Sequence, residues 1–552
     1  MRFFWIACLA LSGVEGLAGC ATSPADDRYD LVIRGAKVVD GTGRKAFTAD
    51  VAIRGDRVEA VGPVPGDARR VIDGRGLVVA PGFIDNHAHS DDLLFEDGLA
   101  QSKIRQGVTT EILGEHTSGG PYLGKLPPHR PGVRTLGDYL AAVERSGISL
   151  NVASYVSQGN LWRCVMGESF DRPSPAQLEE MKALLAQAME EGAWGMSIMV
   201  AEPPGLLATS DDLVELAKVS ARYKGVYSTH IRNEGTGVLD AVKEAIAVGE
   251  RSGARVDIIH IKIADQAFWG RMKEVVALID EARKRGVDVQ SNIYPYTRGN
   301  NNLAAILPPW AREGGKEKIL DRLRDPAERA KIKRDVEAGL PGWYNHYTAV
   351  GRDWARMLVN EDLSTPNKRF EGWTMDKILE ARGATDKLDG WLDFLLEEKA
   401  SISCIYEHHT DADRDLALSQ PWCSIGSDGS AYAIEGPLRR GKPHPRNFGT
   451  FPRVLGVFVR EKKLLTLEDA VRKMTSLTAA KVGLRDRGVI RAGAKADLVL
   501  FDPATVIDKS TYLEPFQYPV GIDTVIVNGR VVLDKGKHTG EKPGKALRRG
   551  KD

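Results

Sequence analysis

Short apolar runs alternate with longer amphipathic stretches through most of this 552-residue chain. The alternation is typical of parallel sheets in which each strand is followed by a covering helix. Eight such runs occur, at residues 77–84, 108–113, 150–156, 193–200, 225–231, 256–263, 287–294 and 424–427. Because eight strand–helix units suffice to close a (β/α)8 barrel, we predict an α/β chain built on a TIM-like barrel over residues 81–484.

The stretch after the fifth run shows the helical pattern well. Val238, Val242, Ala245 and Ile246 have the spacing that places them on one face of a helix. Gly253 follows and predicts the end of that helix, since glycine accepts the left-handed conformation common after a last turn.

Both ends of the chain show a different texture. Residues 29–80 and 485–540 hold short stretches that alternate apolar and polar side chains, separated by Gly, Asp and Pro. This pattern predicts short antiparallel strands with turns between them. We therefore predict one small β-sandwich domain formed by the two chain ends together.

The alternation is interrupted at about residues 298–420, a segment too long for one connection and rich in tryptophan. Barrels accept insertions in the loops that follow their strands, and those loops also form the active site. We predict that this insertion lies over the barrel mouth. The alternative is a second helical layer without a catalytic role.

Residues 1–20 differ from the rest of the chain. Arg2 precedes a mostly apolar stretch that is short for a membrane span, as in a signal peptide. The stretch ends at Leu17-Ala18-Gly19-Cys20, which resembles the bacterial lipobox, followed by a small, polar tether at residues 21–28. The sequence therefore predicts export and a periplasmic lipoprotein held at the membrane by lipidated Cys20. The alternative is a soluble protein with an apolar start.

Charge and cysteine content limit the possible partners and cross-links. The chain has 76 Lys and Arg against 75 Asp and Glu, a balance that gives no reason to expect nucleic acid as a partner. After processing, Cys164, Cys404 and Cys423 would remain. We expect buried thiols, although an oxidising compartment would permit a Cys404–Cys423 disulfide. The sequence leaves the oligomeric state open.

Polar residues stand where the predicted strands end, which is where barrel enzymes build their active sites. His87 and His89 directly follow the first run, and alternate residues of an extended segment project to the same side. His230 and His260 close two later runs, and Asp428 closes the last one. Four histidines and an acid at such positions predict a metal site.

Together these segments resemble the amidohydrolase superfamily and, within it, the N-acyl-D-amino-acid deacylase (D-aminoacylase) family. The resemblance covers nearly all of the chain after the predicted signal peptide. It rests on Val78-Val-Ala-Pro-Gly-Phe-Ile-Asp, Gly107-Val-Thr-Thr, Tyr227-Ser-Thr-His-Ile-Arg-Asn-Glu, Tyr294-Pro-Tyr, Ser427-Asp-Gly, His444-Pro-Arg, Phe448-Gly-Thr-Phe, Met474-Thr-Ser and Gly493-Ala-Lys-Ala-Asp-Leu-Val.

The resemblance implies one or two zinc ions. His87 and His89 would hold the more exposed ion, and His230 and His260 the more tightly bound one. Many members of the superfamily bridge two metals with a carboxylated lysine on the fourth strand. The fourth run here, residues 193–200, contains no lysine.

The family takes a metal ligand, often cysteine, from the end of the second strand. This chain has Glu115 and His116 there, with His116 in direct register with the cysteine. Either side chain suits zinc. We favour Glu115, because a carboxylate can bridge two cations and a neutral imidazole cannot.

The resemblance also implies roles in the reaction. Asp428 would accept a proton from the attacking water and pass it to the leaving nitrogen. Lys262, Tyr294 and Arg446 would bind the α-carboxylate of a small N-acyl-amino-acid substrate, for which the arginine fork is well suited.

Two other functions remain open at this point. A cyclic-amide or dipeptide hydrolase of the same superfamily would share the metal ligands. A lipoprotein that uses the barrel for binding without catalysis is the second alternative, and the four histidines with Asp428 argue against it.

Overall fold

A computed structural model describes residues 28–550, so Cys20 and the predicted signal peptide lie outside the described residues. The strands in chain order are β1 Tyr29–Val38, β2 Phe47–Arg54, β3 Arg57–Gly62, β4 Ala68–Asp73, β5 Val78–Pro81, β6 Phe83–Asp85, β7 Val108–Leu113, β8 Asn151–Ser154, β9 Val156–Ser157, β10 Gly195–Met199, β11 Val226–His230, β12 Arg255–Ile258, β13 Val289–Ile293, β14 Gly299–Asn302, β15 Met357–Glu361, β16 Ser403–Tyr406, β17 Cys423–Ile425, β18 Leu498–Phe501, β19 Ile522–Val527, β20 Arg530–Asp534 and β21 Lys537–His538. Each predicted apolar run overlaps at least one of these strands.

Helices fill the intervals between the strands. The α-helices are Leu93–Glu96, Gln101–Ile104, Leu136–Ser146, Gln158–Met166, Pro175–Glu191, Ser210–Arg222, Val238–Ser252, Met272–Lys284, Gly315–Arg324, Pro326–Ala338, His346–Ala349, Met375–Ala381, Lys387–Glu397, Asp411–Ser419, Arg446–Arg453, Leu467–Met474 and Ser476–Val482. A π-helical stretch, Val454–Glu461, continues the helix that begins at Arg446.

Local sequence explains where several of these helices begin and end. Thr135, Ser174 and Thr209 each cap a helix in a reciprocal capping box, which satisfies backbone N–H groups that the first turn leaves free. The predicted helix over Val238–Ser252 is present, and Gly253 ends it in the left-handed conformation with φ +73°.

The two chain ends meet in one sheet, in the order β21-β20-β19-β18-β5-β1-β2-β3 with β4 beside β1. Antiparallel pairing of β5 with β18 joins the amino-terminal strands to the carboxy-terminal ones. The sequence predicts a sandwich of two sheets, whereas hydrogen bonds join all nine strands into one. The reason is that β1 bonds to β2 on one edge and to both β4 and β5 on the other.

The strands between these ends are parallel. One sheet has the order β17-β13-β12-β11-β10-β9, and a second has the order β6-β7-β8. Beyond the strand ends, His89 N donates to the Gly429 carbonyl oxygen at 3.0 Å, and Asp428 N donates to the His87 carbonyl oxygen at 2.8 Å. The carboxyl end of β6 therefore lies beside the carboxyl end of β17.

Residues between β13 and β17 form a unit with its own hydrophobic core. An antiparallel sheet of order β14-β16-β15 lies within it. Buried Trp354, Trp391 and Phe394 belong to this core, which is separate from the main core around the parallel strands. Residues from this unit also line the cavity described below.

The sequence predicts that the three cysteines outside the signal peptide and lipobox are buried. Cys164, Cys404 and Cys423 are free and buried, as expected. Burial raises the pKa of the Cys404 thiol far above its usual value, so the neutral thiol packs as a small apolar group. Within residues 28–550, no helix combines the length and apolar character needed to cross a bilayer.

Candidate metal centre

A cavity of about 280 Å³ opens at the carboxyl ends of the parallel strands. Every site residue predicted from the sequence lines it: His87, His89, Glu115, His116, His230, His260, Lys262, Tyr294, Asp428 and Arg446. Their strands are far apart in sequence, and parallel strand order brings their ends together. The roles of these residues remain predictions, while their convergence is a structural observation.

His87, His89 and Asp428 form the first group whose ligand atoms could hold a metal ion. Asp428 Oδ1 lies 3.0 Å from His89 Nε2 and 3.4 Å from His87 Nε2. The buried His87 Nδ1 has no hydrogen-bond partner in the described structure. Buried polar atoms usually have a hydrogen-bond partner, so this nitrogen is available to a ligand.

His230, Glu234 and His260 form the second group. Glu234 Oε1 lies 3.0 Å from His260 Nδ1, and Glu234 Oε2 lies 3.6 Å from His230 Nε2. The ring centroids of His87 and His260 are 5.0 Å apart, so the two groups adjoin each other. Both sets combine imidazole nitrogen with carboxylate oxygen, the donors that zinc accepts.

Sequence reasoning did not assign Glu234, although it lies within the family motif that begins at Tyr227. It stands four residues beyond His230, in the loop that precedes the Val238–Ser252 helix. Glu234 does not itself end a strand, so its place in that motif and its spacing from a predicted ligand were the signals available.

The protonation states of both groups suit metal binding. Burial lowers the pKa of His87 well below its usual value and lowers the pKa of His260 to about 4. Burial alone would raise the carboxyl pKa values, but neighbouring cations and imidazoles hold the pKa of Asp428 and of Glu234 well below normal. At neutral pH His87 and His260 are therefore neutral and both carboxylates are ionised.

Backbone strain is concentrated at three of the strand ends. His116, His260 and Asp428 adopt left-handed backbone conformations, with φ of +64°, +35° and +51°. Such conformations are unfavourable for residues with side chains and persist where surrounding structure enforces them. Here the strain turns each residue out of its strand direction at the rim of the cavity.

Glu115 and His116 differ sharply in environment. Glu115 is buried, and its Oε1 accepts a 2.5 Å hydrogen bond from Ser228 Oγ. Its Oε2 is buried without a partner, and burial raises the pKa of the group to about 8. His116 is exposed to solvent in the cavity, and desolvation by the surrounding protein lowers the pKa of its imidazole to about 4. Among the described residues, neither Glu115 nor His116 belongs to the two groups of side chains that could hold a metal ion.

Lys262 and Arg446 are both close to carboxylates of the candidate metal groups. Lys262 Nζ lies 2.5 Å from Glu234 Oε1, and Arg446 Nη1 lies 2.7 Å from Asp428 Oδ2. Two nitrogens of Arg446, Nε and Nη1, still lack a well-oriented hydrogen bond. The buried Tyr294 hydroxyl also has no partner. The cavity wall therefore holds unused donors suited to an anionic group.

A buried ion network supports the loop that contains Asp428. Lys103 Nζ donates to Asp85 Oδ2 at 2.8 Å and to the Gly429 carbonyl oxygen at 3.0 Å, and it lies 2.9 Å from Glu111 Oε1. All three charged side chains are fully buried. Because removing one partner leaves uncompensated buried charge, such a network fixes its neighbours firmly.

The insertion contributes cavity residues to which the sequence assigns no role. Asn300, Asn301, His346, Glu361 and His408 come from between β13 and β17 and line the cavity. His444 also lines it. Their positions depend on how the insertion folds, which strand-end reasoning does not address.

Comparisons with known proteins agree with this geometry. A family model described as the amidohydrolase family matches residues 70–306 and 423–533. N-acyl-D-glutamate deacylase from Alcaligenes xylosoxydans xylosoxydans is 35% identical over 95% of this chain and 97% of that protein. D-aminoacylase from the same organism is 32% identical over 94% of this chain and 98% of that protein.

A solved structure is similar over the same extent. The crystal structure of N-acyl-D-glutamate deacylase from Bordetella bronchiseptica, complexed with zinc and a phosphonate mimic of the tetrahedral intermediate, superposes with a TM-score of 0.79 at 32% identity. It covers 95% of this chain and 100% of that chain. The sequence matches, the structural match and the residues gathered in the cavity agree: the chain belongs to the amidohydrolase family.

Proposed function

We propose that this chain is a zinc-dependent hydrolase that cleaves the amide of N-acyl-D-amino acids to a carboxylate and a free amino acid. The observation that carries the proposal is the pair of adjoining imidazole–carboxylate groups in one cavity, with unpaired donors beside them. The names of the similar proteins support an N-acyl-D-amino acid as substrate.

The donor sets fit zinc, since neutral imidazoles and ionised carboxylates are its usual nitrogen and oxygen ligands. His87 and His89 would hold one ion, and His230 and His260 would hold the other. Glu115 would supply a further carboxylate ligand. Zinc held there supplies Lewis acidity, which polarises the scissile carbonyl and makes water a stronger acid near neutral pH.

Asp428 is placed to move the proton that the reaction requires. Its carboxylate is ionised, and Oδ1 faces His87 and His89. The carboxylate can take a proton from the attacking water and deliver it to the amide nitrogen. That delivery matters because an amide nitrogen is a poor leaving group unless it is protonated.

The α-carboxylate of the substrate would be held by Tyr294, Arg446 and Lys262. The Tyr294 hydroxyl and Arg446 Nε have no hydrogen-bond partner among the described residues. Lys262 forms an ion pair with Glu234, so it would contribute to substrate binding mainly through its charge. These groups favour a linear N-acyl-amino acid over a cyclic amide without a free carboxylate.

We also propose that the parallel strands close into a (β/α)8 barrel. Tyr155 separates β8 from β9, which would link the three-stranded and six-stranded parallel sheets through one continuous segment. The hydrogen bonds between the ends of β6 and β17 support closure on the other side.

The proposed function is tested by comparing a linear and a cyclic substrate of the same amino acid. Purified zinc-loaded protein is expected to release amine from N-acetyl-D-leucine and to leave 5-isobutylhydantoin intact. Faster ring opening of the hydantoin than amine release from the linear substrate would contradict the proposal and favour cyclic-amide hydrolysis.

For the ligand at the end of β7, we predict that Glu115→Gln lowers the zinc content of the purified protein. Two cations a few ångströms apart repel strongly unless anionic ligands lie between them, and the amide has no charge. His116→Ala, at a position exposed to solvent in the cavity, is the matched control and is expected to bind zinc near the wild-type stoichiometry. Metal analysis that finds the loss confined to His116→Ala would assign the ligand to His116 instead.

For the amino terminus, we propose that Cys20 is lipidated and holds the exported protein at a membrane. The prediction is that Cys20→Ser moves the mature protein from the membrane fraction to the soluble fraction. Cys8→Ser, within the apolar stretch that processing would remove, serves as control and should leave the protein on membranes. Unchanged membrane attachment of the Cys20→Ser protein would refute the lipobox assignment.

A further inference from the structure

One buried carboxylate in the catalytic cavity has no part in the proposed reaction. Glu361 ends β15 in the insertion, is 9% exposed, and lines the cavity. Its Oε2 accepts a 2.7 Å hydrogen bond from the Tyr432 hydroxyl, and its Oε1 accepts one of 3.0 Å from Asn360 Nδ2. Among residues 28–550, no lysine or arginine lies within ion-pair distance of Glu361.

Hydrogen-bond acceptors outnumber donors around Glu361. Asn360 Oδ1, on the amide group whose Nδ2 donates to Glu361, is also buried and has no partner among the described residues. Burial raises the pKa of Glu361 to about 7, with the neighbouring acids Asp362 and Glu371 adding to the effect. An ionised carboxylate that is buried without a cation is unfavourable, so this position favours a ligand that brings positive charge and N–H donors.

The cavity also has few basic side chains that could balance an acidic substrate. Of the described residues that line it, only Lys262 and Arg446 are lysine or arginine, and each is paired with a carboxylate. Arg312, in a smaller cavity alongside, is paired with Glu202 at 2.6 Å. Once the substrate α-carboxylate has engaged Lys262 and Arg446, no unpaired lysine or arginine in this wall is left for a second substrate carboxylate.

We infer that Glu361 is a specificity-determining residue that selects substrates with a cationic group near the scissile amide. This inference rests on the proposed deacylase function. The cation could come from the side chain of a basic D-amino acid or from the free amine of an aminoacyl group. An ammonium group would donate hydrogen bonds to the Glu361 carboxylate, whereas an acidic side chain would face Glu361 without a counter-ion.

The test uses zinc-loaded enzyme and pairs of substrates that differ only in charge. N-acetyl-D-lysine is compared with N-acetyl-D-2-aminoheptanoate, which has a methyl group in place of the ammonium. Glycyl-D-leucine is compared with N-propionyl-D-leucine in the same way. We expect the cationic member of at least one pair to be favoured at least about tenfold in kcat/KM, and N-acetyl-D-glutamate to be a poor substrate.

The Glu361→Gln protein is expected to lose most of this preference, chiefly through a higher KM for the cationic member. Glu380→Gln, an exposed acid of the same insertion outside the cavity lining, is the matched control and should keep it. A preference confined to the lysine pair assigns the cation to the side chain, and one confined to the glycyl pair assigns it to the acyl group.

Two results would overturn the inference. One is equal kcat/KM within both pairs for the wild-type enzyme, and the other is a cationic preference that survives Glu361→Gln. In both cases neutral N-acyl-D-amino acids would still be cleaved, so the proposed function would stand. Failure to cleave any substrate of the panel would refute the deacylase proposal and the inference with it.

Discussion

Removal of zinc is expected to reduce amide hydrolysis by several orders of magnitude, and added zinc to restore it. The reason is that His87, His89, His230 and His260 supply imidazole ligands in two adjoining groups, while the described residues that line the cavity include no cysteine thiol. The measurement is amine release from an N-acetyl-D-amino acid before chelation, after chelation and after zinc is returned.

Magnesium is the matched control in this experiment. It prefers oxygen ligands in octahedral geometry and should not restore activity at a histidine-rich site. Circular dichroism before and after chelation separates loss of metal from loss of fold. Wild-type turnover in protein shown by metal analysis to be free of metal would refute the mechanism.

Asp428→Asn is expected to lower kcat by about 10²–10⁴-fold, the usual effect of removing a positioned general base. Asparagine has nearly the same shape, so it can still occupy the space between His89 and Arg446. It cannot accept and return a proton at Oδ1. The measurement is steady-state kinetics on protein whose zinc content has been determined, because Asp428 also lies among the first group of potential ligands.

An exposed acid provides the control for this substitution. Asp240, at the surface of the Val238–Ser252 helix, is 87% exposed in its side chain, and Asp240→Asn should keep wild-type kcat. A metal-replete Asp428→Asn protein with wild-type turnover would remove Asp428 from the proton transfer.

Sequence reasoning located the site because of how parallel strands are connected. When each strand is followed by a helix, all strands run in the same direction and their carboxyl ends share one face. His87, His230, His260 and Asp428 could therefore be assigned to one site from their strand-end positions alone. No knowledge of loop conformation was needed.

The residues that were missed depend on longer-range folding. Glu234 enters the second group because the loop after β11 returns toward His260. Glu361 reaches the cavity only because the insertion folds around its own core and directs the end of β15 toward Tyr432. Local periodicity does not predict the course of the loop after β11 or the fold of the insertion. Strand-end reasoning therefore identified neither Glu234 nor Glu361.

The terminal β-domain illustrates a similar limit. Alternating apolar and polar residues showed that strands would form at both chain ends, and they do. The same pattern does not specify which edges pair. The double pairing of β1 with β4 and β5, which makes a single sheet, depends on backbone register that many sequences could satisfy.

The most direct test of the account compares initial rates of amine release from N-acetyl-D-leucine and N-acetyl-L-leucine by the zinc-loaded enzyme. The two substrates share every functional group, so only the placement of the α-carboxylate and side chain around the metal centre distinguishes them. The account predicts that the D-enantiomer is cleaved at least about tenfold faster, a difference of 1.4 kcal/mol in transition-state stabilisation. Equal rates, a preference for the L-enantiomer, or no release from either substrate would contradict it.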